Sequence, residues 1–125
     1  MTPSDFFGNL QYMEEHDEEN FRKVAYGVRL AYEAWQDTVF ESEYELEVKE
    51  LLEDKTTIEE FLNTLRSLNI KSFVYTCTES YAVQSVYDII NAGCKFDGVC
   101  KIPHCNGYRG DGECTEIEGI HFKVL

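Results

Sequence analysis

IKSFVYT, residues 70–76, marks the point where a helical sequence pattern gives way to a β pattern. The stretch is rich in β-branched and aromatic residues and has the length of one strand. The chain before it has mostly helical spacing, whereas the chain after it alternates between a helix and further strands. We therefore expect an α+β fold in which helices precede a small sheet.

Beyond this strand the pattern predicts a β-α-β-β unit. A helix is expected at about 80–91, with Gly93 placed as its left-handed C-terminal cap. Strands are expected at 94–102 and 116–124, separated by the turn-rich loop 103–112. If the first two strands are parallel, their crossover should be right-handed. The positions of the helix predicted to be buried are Ala82, Val83, Val86, Ile89 and Ile90.

Before the strand we predict three to four helices. Thr2 followed by Pro3 is typical of a helix N-terminus. The clearest helical stripe has offsets of three, four and seven residues. It comprises Phe21, Val24, Ala25, Val28, Tyr32 and Trp35. We expect Tyr32 and Trp35 to fill the core, and Tyr26, which lies off the stripe, to be exposed.

Residues 40–48, FESEYELEV, are ambiguous because they alternate like a strand and also satisfy helical spacing. Their Glu content favours a helix. The next helix should begin with a capping box formed by Thr56 and Glu59 or by Thr57 and Glu60. Its core side is expected to present Ile58, Phe61, Leu62, Leu65 and Leu68. The predicted architecture is a single domain spanning residues 1–125, in which three strands pack on helices.

The negative charge is concentrated in the helical half. Residues 1–62 contain 17 acids and 5 bases, whereas residues 63–125 contain 7 acids and 6 bases. Two acidic groups are prominent, and we expect the second to form a ladder along one helix face. They are Glu14, Glu15, Asp17 and Glu18 in the first group, and Glu43, Glu47, Glu50 and Asp54 in the second.

Such a surface has two interpretations. Like charges one turn apart destabilise a helix by about 0.2–0.5 kcal/mol per pair, which favours their retention for binding rather than for folding. A row of carboxylates could imitate nucleic-acid phosphates and occupy a basic groove, with Tyr26 as an aromatic contact. Alternatively, the acids form a solvated face that keeps the protein soluble.

The composition excludes several classes of function. A formal charge of −13 disfavours direct binding to nucleic acid or to an anionic membrane. No apolar run is long enough for a membrane span and no signal peptide is apparent, so we expect a location in the cytoplasm. The odd number of cysteines, five, favours reduced thiols over a disulfide framework.

No set of residues forms a familiar catalytic or metal motif. Zinc is the only cofactor considered, and we expect none to be required. Its weak candidate ligands are Cys94, Cys100, His104, Cys105 and Cys114, which include no C-x-x-C pair. Cys94 and Cys100 should share one strand face as small core residues. His104 or His121 could activate Cys77, Cys100 or Cys114, but nothing fixes their distance. We predict that the protein is not an enzyme.

From residue 19 onward the chain resembles small uncharacterised proteins of conjugative elements and prophages of Gram-positive gut bacteria. The matching phrases are ENFRKV at 19–24, TIEEFLNTLRSL at 57–68, INAGC at 90–94 and KIPH at 101–104. Small acidic proteins in that setting resemble anti-CRISPR or anti-restriction proteins. The resemblance implies a bacterial host and carries over no site residue.

The resulting functional hypothesis is a stoichiometric inhibitor of a bacterial defence nuclease. Its acidic helices would dock on a basic nucleic-acid-binding surface, such as that of the CRISPR effector Cas9. The alternatives are a structural or regulatory adaptor of a mobile element that uses the C-terminal Cys/His loop, and a small cysteine-dependent enzyme.

Overall fold

The α+β class is confirmed by the computed structural model, which describes residues 2–39, 46–49, 52–76, 82–105 and 114–125. Five helices and four strands occur in these segments. In chain order they are α1 (Pro3–His16), α2 (Glu18–Arg22), α3 (Tyr26–Val39), β1 (Glu47–Val48), α4 (Lys55–Ser67), β2 (Ser72–Tyr75), α5 (Ala82–Asn91), β3 (Cys94–Cys105) and β4 (Cys114–Val124).

The described strands form one mixed sheet of order β1-β2-β4-β3. Strand β1 is parallel to β2, and β4 is antiparallel to both of its neighbours. The first two predicted strands, β2 and β3, therefore run in the same direction but are separated by β4. The sheet has four strands rather than the expected three.

The additional strand, β1, lies where a helix was predicted. Glu47 and Val48 pair in register with Val74 and Tyr75, so the helical interpretation of residues 40–48 is wrong at its C-terminal end. Residues 40–45 lie outside the described residues. The strand pattern of alternating residues is realised here, rather than the helical spacing, because β2 supplies hydrogen-bond partners for the backbone. The amide of Val74, for example, donates to the carbonyl of Leu46 at 2.8 Å.

The N-terminal helices begin as expected but divide differently. The Thr2 hydroxyl accepts a hydrogen bond from the amide of Asp5 at 3.1 Å, which confirms the predicted cap. The stripe expected on one helix from Phe21 onward is divided between α2 and α3, which are separated by residues 23–25. Phe21 nevertheless packs against the ring of Tyr32, with centroids 5.7 Å apart. The apolar stripe is thus preserved in space although the helix is interrupted.

Helix α4 is the best predicted element. All five residues assigned to its core side are buried. Its cap differs, because the side chain of Asp54 accepts from the amide of Thr56 at 3.2 Å. Both predicted capping boxes are therefore wrong: the helix begins at Lys55, which places Thr56 and Thr57 inside its first turn. Gly27 of α3 lies directly against α4, at the residues Thr57 to Phe61.

Helix α5 is only partly buried as predicted. Ala82 and Ile89 are buried, and Val86 packs against the core. Gly93, with φ of +109°, has the positive value expected of the cap. Val83 and Ile90 are exposed, contrary to prediction, because α5 is oriented with Ser85 and Asp88 towards the interior.

The polar side of α5 faces inward instead. Ser85 and Asp88 are both buried. The Ser85 hydroxyl donates to the carbonyl of Leu52 at 2.7 Å, and the Gln84 amide donates to the Asp88 carboxylate at 3.1 Å. These hydrogen bonds make burial of the two polar side chains tolerable.

Strands β3 and β4 form a hairpin longer than predicted, which includes residues 103–105 of the expected loop. Strand β2 pairs only with residues 120–123 of β4. The paired segments 100–105 and 114–119 therefore continue past β2 as a two-stranded arm.

The hairpin also contains an irregularity between Phe96 and Val99. Cys94 pairs with Val124 and Cys100 with Gly119, an odd separation along β4. The two cysteines consequently lie on opposite faces of the sheet, so the prediction that they share a face is wrong.

Candidate binding surface

The acidic run of residues 14–19, named here the acidic junction, lies where α1 ends and α2 begins. Glu14, Glu15, Asp17 and Glu18 are all exposed. Asp17 separates the two helices, and its carboxylate accepts hydrogen bonds from both the backbone amide and the side-chain amide of Asn20. The structure thus brings all four acids of the first predicted group together at one exposed junction of two helices.

A buried tyrosine holds the acidic junction against the core. The Tyr32 hydroxyl donates to Oε1 of Glu14 at 3.1 Å and accepts from the Gln36 amide at 2.6 Å. Burial of the Tyr32 ring, followed by its hydrogen bond to Glu14, raises the pKa of the phenol to about 12. The Tyr32 ring also packs beside Trp35 and Phe7. The predicted core position of Tyr32 is confirmed, whereas Trp35 is partly buried and packs against the core.

Two basic residues reduce the charge of the junction. Arg22 forms an ion pair with Glu18, and the Lys23 ammonium lies 3.9 Å from a carboxylate oxygen of Glu19. Both pairs are well exposed, so each contributes little to stability. Residues 14–23 contain five acids and two bases, which leaves an excess of three negative charges. The surface remains acidic after local pairing.

Exposed aromatic side chains accompany the acids. Tyr26 is 51 % exposed, as predicted, and the Arg29 guanidinium lies 5.5 Å from its ring centroid. Tyr12, which the sequence reasoning missed, is 64 % exposed and lies 4.5 Å from the ring of His16. The signal available in the sequence was its spacing of four residues from His16, within the acidic run.

The second acidic group does not form the predicted helix-face ladder. Glu47 is buried in β1, where its carboxylate accepts from the Thr76 hydroxyl at 3.3 Å. Asp54 caps α4. Glu43 and Glu50 lie outside the described residues. The ladder is therefore wrong at Glu47 and Asp54, because a helix through both would displace the pairing of β1 with β2.

The candidate metal ligands are only partly described. Cys105 pairs with Cys114, and His104 with Thr115, in the backbone register of the arm. The side chains of His104, Cys105 and Cys114 lie outside the described residues. Within the described part of the chain, no three His, Cys, Asp or Glu residues are grouped so as to hold a metal ion.

The two described cysteines have different surroundings. Cys94 is buried, and desolvation raises the pKa of its thiol to about 11. Cys100 is half-buried, and its Sγ lies 3.5 Å from the carbonyl oxygen of Gly119. The thiol of Cys100 thus has a backbone acceptor on the neighbouring strand.

A charged cluster not anticipated from the sequence lies on β3 and β4. Nδ1 of His121 is 2.9 Å from Asp97, and the Lys123 ammonium is 3.7 Å from the same carboxylate. The hydrogen bond from His121 is the main reason why the pKa of Asp97 lies below its usual value. Asp97 occupies the strand irregularity, so the cluster links that irregularity to β4.

A cleft of about 170 Å³ lies between α4 and α5. Small-molecule sites usually enclose about 300–1,000 Å³, so the cleft is small for a metabolite. Its lining residues are Lys55, Ile58, Glu59, Asp88, Asn91 and Ala92.

No helix among the described residues combines the length and apolar character needed to cross a membrane.

Comparison with known proteins identifies a family. Residues 30–124 match a family described as a domain of unknown function (DUF7698). The chain belongs to this family. The DUF7698 region includes most of α3 and everything after it, whereas the acidic junction precedes it. No curated protein and no solved structure matches the chain.

Proposed function

We propose that this protein is a stoichiometric binding protein that docks its acidic junction on a basic nucleic-acid-binding surface. The observation that carries the proposal is the display of four exposed acids where α1 ends and α2 begins. Opposite charges across an interface accelerate association and favour the correct partner.

The attachment of the junction to the core supports this role. The hydrogen bond between Tyr32 and Glu14 connects the surface to a packed aromatic cluster on α1 and α3. A binding surface that is ordered before association loses less conformational entropy on binding. Tyr12 and Tyr26 supply exposed aromatic rings, a residue type enriched among interface hot spots.

The partner we propose is a bacterial defence nuclease, such as a Cas9-type CRISPR effector. Such enzymes hold a nucleic-acid duplex in a positively charged channel, which is the kind of surface that an acidic protein can occupy. Inhibition would follow from competition for that channel, with one copy of the protein per nuclease.

A charge-reversal experiment tests the proposal. The double variant Glu15→Lys/Glu18→Lys leaves the Tyr32 contact and the Asp17 cap in place. We expect weaker binding to a Cas9-type nuclease, and weaker binding of the wild-type protein as the salt concentration rises. The control Glu53→Lys/Glu59→Lys changes two exposed acids elsewhere by the same net charge and should bind like wild type. Equal affinities of the two double variants would contradict the proposal.

The arm favours one second candidate, an adaptor that makes its contact through the C-terminal Cys/His segment. Residues 100–105 and 114–119 extend that segment beyond β2. A partner that binds through the arm should lose affinity when Cys114 is replaced by Ser and should be insensitive to Glu15→Lys/Glu18→Lys.

A further inference from the structure

Helix α5 exposes an apolar stripe formed by Val83, Tyr87 and Ile90. The three side chains are 78 %, 63 % and 42 % exposed. Their spacing of four and then three residues places them on one flank of the helix. The single charged residue of α5 is Asp88, which is buried on another side. The exposed side of this helix therefore carries no charged residue, which is unusual in a chain with a formal charge of −13.

The stripe lies on the exposed side of α5, outside the cleft shared with α4. Asp88 and Asn91 line that cleft. At about 100° per residue, Val83 and Ile90 lie well round the helix from Asp88, with Tyr87 between them and Asn91. On strand β3, which packs beside α5, Phe96 and Val99 are 48 % and 63 % exposed. In the strand register Phe96 lies opposite Phe122 of β4, and Val99 lies opposite Ile120. Phe122 and Ile120 are two residues apart on β4 and both contact the core, so they lie on the core face of the sheet. Exposed apolar side chains are thus present on both elements at this end of the protein.

We infer that the α5 stripe is the contact surface for a second copy of this chain in a twofold dimer. Charge favours this occupant. The acidic junction lies at the other end of the helical layer, since packing proceeds from α1 to α3, then α4, then α5. Two strongly acidic copies repel through most surfaces, whereas the uncharged α5 stripes approach without placing acid against acid.

The stripe is also self-complementary. A twofold axis near Tyr87 places Val83 of each copy opposite Ile90 of the other, because these two residues lie almost equally far from the centre. The stripe spans about 10 Å along the helix. Gln84 and Asn91 are exposed beside it and supply an uncharged polar rim.

The neighbouring edge strand is unsuited to dimerisation by extension of the sheet. Strand β3 contains an irregularity after Phe96, includes Pro103 and carries the exposed residues Lys95 and Lys101. Each of these features opposes pairing with another strand. Association therefore proceeds through helix packing, and the small contact area gives a weak, concentration-dependent dimer.

Sedimentation velocity of the full chain from micromolar to millimolar concentration tests the inference. We expect a shift from monomer to dimer, and Tyr87→Glu should raise the dimer dissociation constant by about 30-fold or more. Tyr12→Glu adds the same charge at an equally exposed tyrosine and should leave the dimer unchanged. Circular dichroism of both variants verifies that they are folded.

Salt separates this association from the proposed docking on a basic partner. Screening reduces repulsion between two copies, so salt should strengthen the dimer while it weakens binding through the acidic junction. A chain that stays monomeric throughout the range, or a dimer that tolerates Tyr87→Glu, overturns the dimer and leaves the docking proposal standing.

Discussion

Gly27 lies where α3 packs tightly against α4, and replacing it with Ala should destabilise the protein. A Cβ at this position would lie 2.3 Å from the Thr57 carbonyl oxygen and 2.7 Å from the Phe61 amide nitrogen. Both are backbone atoms of α4, so no side-chain rotation can relieve the overlap and the helices must separate. Overpacking of this kind costs about 1–3 kcal/mol, which should exceed the gain of up to about 1 kcal/mol from the higher helix propensity of Ala.

Gly8 provides the matched control. It also lies within a helix, but a Cβ there meets nothing within 4 Å. Gly8→Ala should therefore stabilise the protein by about 0.5–1 kcal/mol. Urea unfolding followed by far-ultraviolet circular dichroism measures both free energies of unfolding. Equal stability of Gly27→Ala and Gly8→Ala would refute the close packing of α3 against α4.

Three further predictions concern individual side chains. Asp54→Ala should lower the free energy of unfolding by about 1 kcal/mol through loss of the α4 cap, whereas Asp54→Asn should retain most of it; urea unfolding distinguishes them. Because the pKa of Tyr32 rises from 10.0 to about 12 on folding, its contribution to stability is present below pH 10 and is lost towards pH 12. The stability of wild type should accordingly fall relative to Tyr32→Phe across that interval, by on the order of 2 kcal/mol, and parallel curves would contradict the assignment. With a pKa of about 11, Cys94 is about 0.1 % thiolate at pH 8, so peptide-resolved iodoacetamide labelling should modify the half-buried Cys100 far faster.

The elements predicted best are those whose sequence pattern and tertiary environment agree. Helix α4 has apolar residues at regular helical spacing and packs between α3 and α5, so the expected core side is the buried side. The interruption between α2 and α3 contains neither Gly nor Pro, which would have marked it in the sequence. The two-residue strand β1 forms because it pairs with β2. The local sequence around β1 does not show that this partner is available.

The residues of the candidate binding surface could be predicted only where the neighbouring sequence determines their charge and exposure. The acidic run from Glu14 to Glu18 is exposed because it connects two helices at the surface. The ladder through Glu47 depended on a helix that tertiary pairing replaces with a strand. The apolar pattern of α5 predicted burial of Val83 and Ile90, but the amount of surface covered depends on which elements flank the helix. The cluster of Asp97 and His121 arises from a strand register that the sequence does not specify.

The position of β4 between β2 and β3 has a consequence for synthesis of the protein on the ribosome. β4 follows every other described element in the chain, yet it supplies the hydrogen-bonding partners of both neighbours. The nascent chain can form its helices early, whereas β2 and β3 wait for the residues of β4 to emerge. Until then the core face of the sheet, including Phe73, remains available to molecular chaperones, and the sheet can be completed only after β4 has been synthesised.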